Sequence, residues 1–186
     1  RIYDLRSFIE VLEEARQLTH IRKPVALTHE LANVAATLAR QGQGPVIFEK
    51  PTRDADTLPW QVFANAVVSP SSAALSLQCS TIEVPNQMGK ALDISNGIQP
   101  QLVDEVPAWK KNVISGDNIN LYQLPIPTHG AHDGGPFITG GVTVCTDPVS
   151  GRGNLSYNRM QILGPHTFGF NVNEWRHVMQ FYKIHQ

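Results

Sequence analysis

After Pro107 the sequence is cut by Gly, Pro and Asp into short strand-like apolar runs, which makes that half of the chain mostly β. Residues 112–114, 137–146 and 155–163 read as strands. Before Pro107 the apolar residues recur at helical spacing instead. Asp4 precedes Leu5, Phe8, Ile9, Val11 and Leu12, an acidic N-cap ahead of an apolar face that runs out near Gln17. Leu31, Val34, Ala35 and Leu38 predict a second helix over Glu30–Arg40, stopped by Gly42 and Gly44. A short extended piece around His20 and Ile21, strands over 45–49 and 60–68, a small Ser-capped helix over 71–78 and a helix over Val84–Leu92 with Pro85 in its first turn complete this half. The expected fold class is α+β. A small N-terminal α/β lobe spans 1–108, and a β-rich part, 109–186, follows a boundary near Trp109.

Composition narrows the partner. With 41% hydrophobic and 17% charged residues, 186 residues suffice for a packed core. The 15 basic and 16 acidic residues form no like-charge run, so there is no basic footprint for nucleic acid, and a small-molecule ligand is favoured. No apolar stretch approaches the roughly 20 residues of a membrane span, and no signal peptide opens the chain, so a cytoplasmic protein is expected. Cys79 and Cys145, far apart and in apolar or small-residue surroundings, are expected to be buried reduced thiols. The chain opens on Arg1 rather than Met and stops at Gln186 within the apolar-periodic Val178, Met179, Phe181, Tyr182 and Ile184. A longer parent protein is the expectation.

Three polar groups could carry chemistry. His129, His132 and Asp133, in THGAHDGGPFITGG, offer metal-ligand types, although Asp-Gly-Gly-Pro is also a turn ahead of a strand and the turn is the weightier reading. In GRGNLSYNRMQ, Asn154, Ser156 and Asn158 alternate with Leu155 and Tyr157, with Arg159 beyond. Amides, a hydroxyl and a guanidinium on one strand face suit a phosphate-bearing cofactor, and a solvated polar face would have the same pattern. The third group, Glu174, Trp175, Arg176 and His177, opens a final helix-like stretch, where a histidine is either a solvated capping residue or a ligand.

Taken in order, DGGPFIT, an Asp-Pro turn, NLSYNRMQ and a histidine 18 residues after Arg159 resemble the UbiD-type decarboxylases. DLRSFIEVLE near the N-terminus and GDNINLYQLPIP are similar to that family as well, so the resemblance runs through nearly the whole chain. It implies a flavin-binding split β-barrel, of which 109–186 would be the first part. It also implies prenylated FMN as cofactor, with Mn²⁺ or another divalent metal and K⁺ as an accessory ion. Asn154 and His177 would be metal ligands and Arg159 the catalytic arginine, while Leu155, Ser156, Tyr157, Asn158 and Arg176 would join them along the flavin. The implied reaction is non-oxidative, reversible decarboxylation of a small aromatic or α,β-unsaturated carboxylic acid. A flavin prenyltransferase of the UbiX type would supply the cofactor, and a homo-oligomer is implied. The family's acidic metal ligand and the acidic partners of its arginine fall beyond residue 186, so this chain alone is expected to be inactive. An FMN-dependent split-barrel oxidoreductase and a non-catalytic flavin-binding or assembly subunit remain as alternative readings.

Overall fold

The computed structural model describes residues 2–93, Gly97 and 104–186. The first helix, α1 (Leu5–Glu14), starts where Asp4 accepts a hydrogen bond from Ser7 N at 2.8 Å, while the Ser7 hydroxyl receives the Tyr3 and Asp4 N–H groups. This reciprocal cap satisfies N–H groups that a helix start leaves without partners. Phe8 and Leu12 form its buried face. The chain then enters β1 (Thr19–Ala26), longer than the extended piece expected, with a register irregularity between Ile21 and Pro24. An edge strand tolerates a proline there because one side of its backbone has no ladder to lose.

Helix α2 (Glu30–Arg40) has the bounds that the apolar spacing predicts, and it lays Leu31 and Ala35 on the sheet. Next comes β2 (Val46–Arg53), running parallel to β1, with Thr19 opposite Val46 and Ala26 opposite Thr52. Two short strands, β3 (Asp56–Thr57) and β4 (Val62–Ala64), pair antiparallel with β2 on its other edge. Val25, Leu27, Leu31, Ala35, Val46 and Phe48 form the buried core between α2 and this sheet. Burying a side chain such as Phe48 contributes about 2–3 kcal/mol. The strand expected over 60–68 is thus only three residues long, because its flanks bend into turns and Asn65 takes a left-handed φ of 57°. Helix α3 (Pro70–Ser76), capped by Ser69 and Ser72, and α4 (Val84–Leu92) close this part of the chain.

The second half opens with 3₁₀ turns at Ala108–Lys111, Gly116–Asn118 and Leu121–Gln123. Residues 112–114 form no strand, contrary to expectation, since they run exposed between two such turns without a pairing partner. The two long strands expected are each broken. One divides into β5 (Phe137–Ile138) and β6 (Val142–Thr146) at Thr139-Gly140-Gly141, the other into β7 (Gly153–Tyr157) and β8 (Met160–Gly164) at Asn158-Arg159. A further strand, β9 (Thr167–Phe170), pairs with β8, and α5 (His177–His185) ends the chain. Among the described residues, β5, β8 and β9 make a three-stranded antiparallel sheet, β6 and β7 a separate ribbon, and no barrel closes. Cys79 and Cys145 are free thiols as expected, but each is half-buried rather than buried. No described helix is long and apolar enough to cross a membrane.

His20 fastens α1 to the sheet. Its Nε2 lies 2.6 Å from Glu13 Oε1 on α1 and its Nδ1 2.9 Å from Glu49 Oε1 on β2, with Arg22 Nε 3.6 Å from the same Glu49 oxygen. Partial burial opposes charging the ring, but hydrogen bonds to Glu49 and Glu13 outweigh it and raise the pKa above the ordinary histidine value. A raised folded-state pKa means that this linkage stabilises fully below the unfolded value of about 6.5 and fades as pH rises through the folded value. Thermal melts between about pH 6 and pH 9 should therefore show a loss of stability that is reduced in His20→Gln, which itself costs roughly 1 kcal/mol at the acid end.

Candidate functional site

The turn between β6 and β7 sets the site's geometry. Asp147 Oδ1 accepts from Val149 N at 2.9 Å and its Oδ2 from Ser150 Oγ at 2.6 Å. Those bonds, the Ser150 hydroxyl first and the Val149 amide second, hold the Asp147 carboxyl below its ordinary pKa. Gly151 turns the chain back with φ of 72°, a conformation that costs a residue with Cβ free energy. The ribbon that follows pairs Cys145 with Asn154, Thr143 with Ser156 and Val142 with Tyr157.

Alternation along β7 places Asn154 and Ser156 on the half-buried face and leaves Leu155 69% and Tyr157 75% exposed on the opposite one. The polar face is therefore the inner one. At its far end Asn158 Nδ2 donates to Ser156 Oγ at 2.7 Å and to Thr143 Oγ1 at 3.2 Å, clasping both strands of the ribbon. At the near end Asn154 Nδ2 faces Cys145 Sγ at 3.7 Å, which turns Oδ1 the other way.

That oxygen meets α5. His177, the first residue of the helix, brings Nδ1 to 2.8 Å from Asn154 Oδ1, and its ring stacks on Phe181 one turn later with centroids 6.0 Å apart. Arg176 caps the helix by position but makes no side-chain cap bond. His177 and Gln180 of α5 border a cleft of about 310 Å³ together with Asp147, Arg152 and Asn154. An uncapped helix start beside a guanidinium is a favourable place for an anion. A carboxamide oxygen and an imidazole nitrogen are ordinary donors for a first-row divalent ion. Neighbouring ligands of an octahedral ion stand about 3 Å apart, close to the separation of this pair. The residues present therefore fit both a divalent cation and a phosphate.

Arg159 lies in the β7–β8 turn, outside that cleft, with its guanidinium carbon 5.5 Å from the centre of the Phe137 ring. No described carboxylate pairs with it. The first polar group behaves as a turn: Asp133 Oδ2 accepts from Gly130 N at 2.8 Å, and Gly135 takes φ of 142° ahead of β5. No cluster of three or more His, Cys, Asp or Glu that could hold a metal occurs among the described residues. Sequence reasoning passed over Arg152, Gln180 and Phe181. The only signal for Arg152 was its place in the β6–β7 turn, and the two α5 residues are one helical turn on from Arg176 and His177.

Two models from one protein family match the chain: the 3-octaprenyl-4-hydroxybenzoate carboxy-lyase N-terminal domain over residues 9–92 and the Rift-related domain of the same carboxy-lyase over residues 101–186. Among solved structures, an evolved dimeric form of the UbiD-class enzyme HmfF from Pelotomaculum thermopropionicum, in complex with prFMN, is 28% identical. It matches over 98% of this chain and 41% of its own, with a TM-score of 0.86. Vanillic acid decarboxylase of Sedimentibacter hydroxybenzoicus, in an open form, is also 28% identical, over 94% of this chain and 40% of its own, with a TM-score of 0.83. The 3,4-dihydroxybenzoic acid decarboxylase AroY of Klebsiella pneumoniae shares the fold at 21% identity, with 98% of this chain and 39% of its own covered and a TM-score of 0.77. The chain spans about two fifths of the length of these relatives.

The clasp at Asn158 generates a stability prediction. Asn158→Ala removes the amide that joins Ser156 to Thr143 and should lower the unfolding free energy by about 1 kcal/mol, read from denaturant titration, whereas Asn158→Asp, whose carboxylate accepts from both hydroxyls, should lose less.

Proposed function

Since the chain belongs to the UbiD family of carboxy-lyases, we propose that it supplies the cofactor-facing part of a decarboxylase acting on a small aromatic or α,β-unsaturated carboxylic acid. The observation that carries this reading is the meeting of Asn154 Oδ1 and His177 Nδ1 at 2.8 Å, in a cleft that also has Arg152 and the open start of α5. In the proposed reading Asn154 and His177 hold a divalent cation, Mn²⁺ by preference, with K⁺ as accessory ion. Arg152 and the first amides of α5 take a flavin phosphate. Prenylated FMN, the group bound in the HmfF relative, would supply the electron sink that carboxylate loss from an sp² carbon requires.

The chain's own residues divide the remaining work. Cys145 keeps the Asn154 amide nitrogen away from the cleft, so that the carbonyl oxygen faces His177. In the present arrangement the imidazole Nδ1–H donates to that oxygen. Asn154 Oδ1 and His177 Nδ1 would together hold a divalent cation, which would supply charge beside the phosphate. Ser156 and Asn158 satisfy one another and keep β7 in register with β6. Arg159, free of any described carboxylate, binds the substrate carboxylate through paired N–H donors. Leu155 and Tyr157, on the far face of β7, and Arg176, at the cap of α5, are assigned to the cofactor's surroundings rather than to its first contacts. We further read 1–108 and 109–186 as two domains, the second contributing to a split β-barrel, within a cytoplasmic homo-oligomer whose cofactor comes from a UbiX-type prenyltransferase.

Reconstitution of the protein in its full natural length with prenylated FMN and Mn²⁺, followed by assay of carbon dioxide release from aryl and acrylic acids, tests the reading. Flavin uptake without release from any acid would count against it. His177→Ala should lower metal content by about ten-fold or more in elemental analysis after dialysis, and an unchanged content would remove the ligand role. Arg159→Ala should abolish release while flavin content, read from the visible spectrum, stays close to that of the unaltered protein; a near-normal rate would exclude Arg159 from the reaction.

A further inference from the structure

Cys145 and Asn154 face each other across the β6–β7 ribbon, and both lie on its half-buried face. Two contacts join them. The Cys145 thiol donates to Asn154 O at 3.9 Å, and its sulfur accepts from Asn154 Nδ2 at 3.7 Å. A thiol has one hydrogen, so donation to the backbone carbonyl leaves only lone pairs for the side chain. Sulfur in that state accepts the carboxamide NH₂ and has nothing to offer the carboxamide oxygen. The polarity of the thiol therefore selects one of the two ends of Asn154.

That selection matters because a carboxamide is nearly symmetric in shape but not in chemistry. Either end could meet His177 Nδ1 in a sound hydrogen bond. With Oδ1 turned to the ring, as found at 2.8 Å, the imidazole N–H donates and an oxygen borders the cleft. With the amide reversed, Nδ2 would donate to the Nδ1 lone pair. An amide nitrogen is no ligand for a divalent ion, and the reversed pair would also consume the imidazole's own donor atom. It would be a closed pair. His177 alone cannot prevent that reversal, since its ring serves as donor or acceptor. The hydroxyls further along the same face, Thr143 and Ser156, are engaged by Asn158 instead.

We propose that Cys145 is a positioning residue for a divalent cation: its thiol holds the Asn154 carboxamide with the oxygen toward His177 and so prevents the closed pair. The proposal rests on the reading of Asn154 and His177 as the cation's ligands. It makes affinity for the cation depend on the hydrogen-bond polarity of a neighbouring side chain, a property that a purely packing role would not need.

Mn²⁺ titration of the full-length protein, loaded with prenylated FMN and freed of metal by chelation, tests it, with unbound Mn²⁺ read from its electron paramagnetic resonance signal. Cys145→Val fills the position without donor or acceptor and should weaken Mn²⁺ binding about three- to ten-fold. Cys145→Ala, which cannot overpack the ribbon, should show a similar loss. The decisive background is Asn154→Asp, whose carboxylate presents an oxygen whichever way it turns. There the same two changes at Cys145 should alter Mn²⁺ affinity by less than about two-fold. Equal losses with and without Asn154→Asp would show that the thiol only packs, and would overturn the proposal. Asn154→Ala separates the proposal from the reading beneath it. If that variant loses Mn²⁺ while both Cys145 variants retain it, the positioning role falls and the ligand role of Asn154 stands. If Asn154→Ala binds Mn²⁺ as the unaltered protein does, both fall.

Discussion

The two halves of the chain meet at a short parallel contact of Thr28 with Thr128, beside hydrogen bonds from Arg53 to Leu124 O and from Trp60 to Gln123 O. His29 N donates to Thr128 O at 2.8 Å and Thr128 N to Leu27 O at 3.1 Å, while Leu27 N bonds Thr52 O on β2. Leu27 belongs to the buried core, so the contact is anchored where packing is least compressible. One residue away, Pro127 O accepts from Phe137 N, and the Phe137 ring faces Arg159. Four hydrogen bonds and one ring thus connect the core between α2 and β2 to the arginine. Slippage at Thr128 by one residue would reverse the side-chain directions along that segment, which is why register there matters more than the strength of any single bond.

The first lobe was legible because its signals are local. Asp4 and Ser7 cap α1 through atoms three residues apart, and Leu31, Val34, Ala35 and Leu38 mark one face of α2 whatever that face meets. The second half was legible only as a class. The runs 137–146 and 155–163 are β-like in composition, but their breaks at Thr139-Gly140-Gly141 and at Asn158-Arg159 are where β5 and β6, or β7 and β8, part into different sheets. Separation of that kind is a tertiary event. A Cβ on Gly141 would stand 3.2 Å from Ile138 Cγ2 and 3.3 Å from Met160 Cε, a crowding that sequence spacing cannot express. Likewise, alternation divided β7 into a polar and an apolar face without saying which faces inward. The usual preference for buried apolar residues would have chosen wrongly, since Leu155 and Tyr157 are the exposed ones.

The same limit applied to the site. Asn154 and His177 lie 23 residues apart, on a strand and at a helix start, and neither is unusual in isolation. Family resemblance singled out both, whereas Arg152, which borders the same cleft, came into view only with the geometry. Its positive charge is set against the carboxylate of Asp147, which accepts from Val149 N and Ser150 Oγ.

Strand β7 also explains how two chemical tasks are kept apart. Asn154 stands near its start and Arg159 in the turn past its end, and the extended stretch from Asn154 to Tyr157 alone covers roughly 10 Å. In the proposed reading, the residues at one end would hold cation and phosphate and the arginine at the other would take the substrate carboxylate. That separation protects the arginine. A metal-bound phosphate close to Arg159 would pair with it and cancel the charge intended for substrate, whereas at this distance screening by salt and water leaves the two anion sites nearly independent. The clasp of Asn158 on Ser156 and Thr143 makes the spacing a property of the ribbon rather than of any bound molecule. The aromatic face at Phe137 lies against the guanidinium at the far end of that spacing, an attraction that needs no hydrogen-bond acceptor.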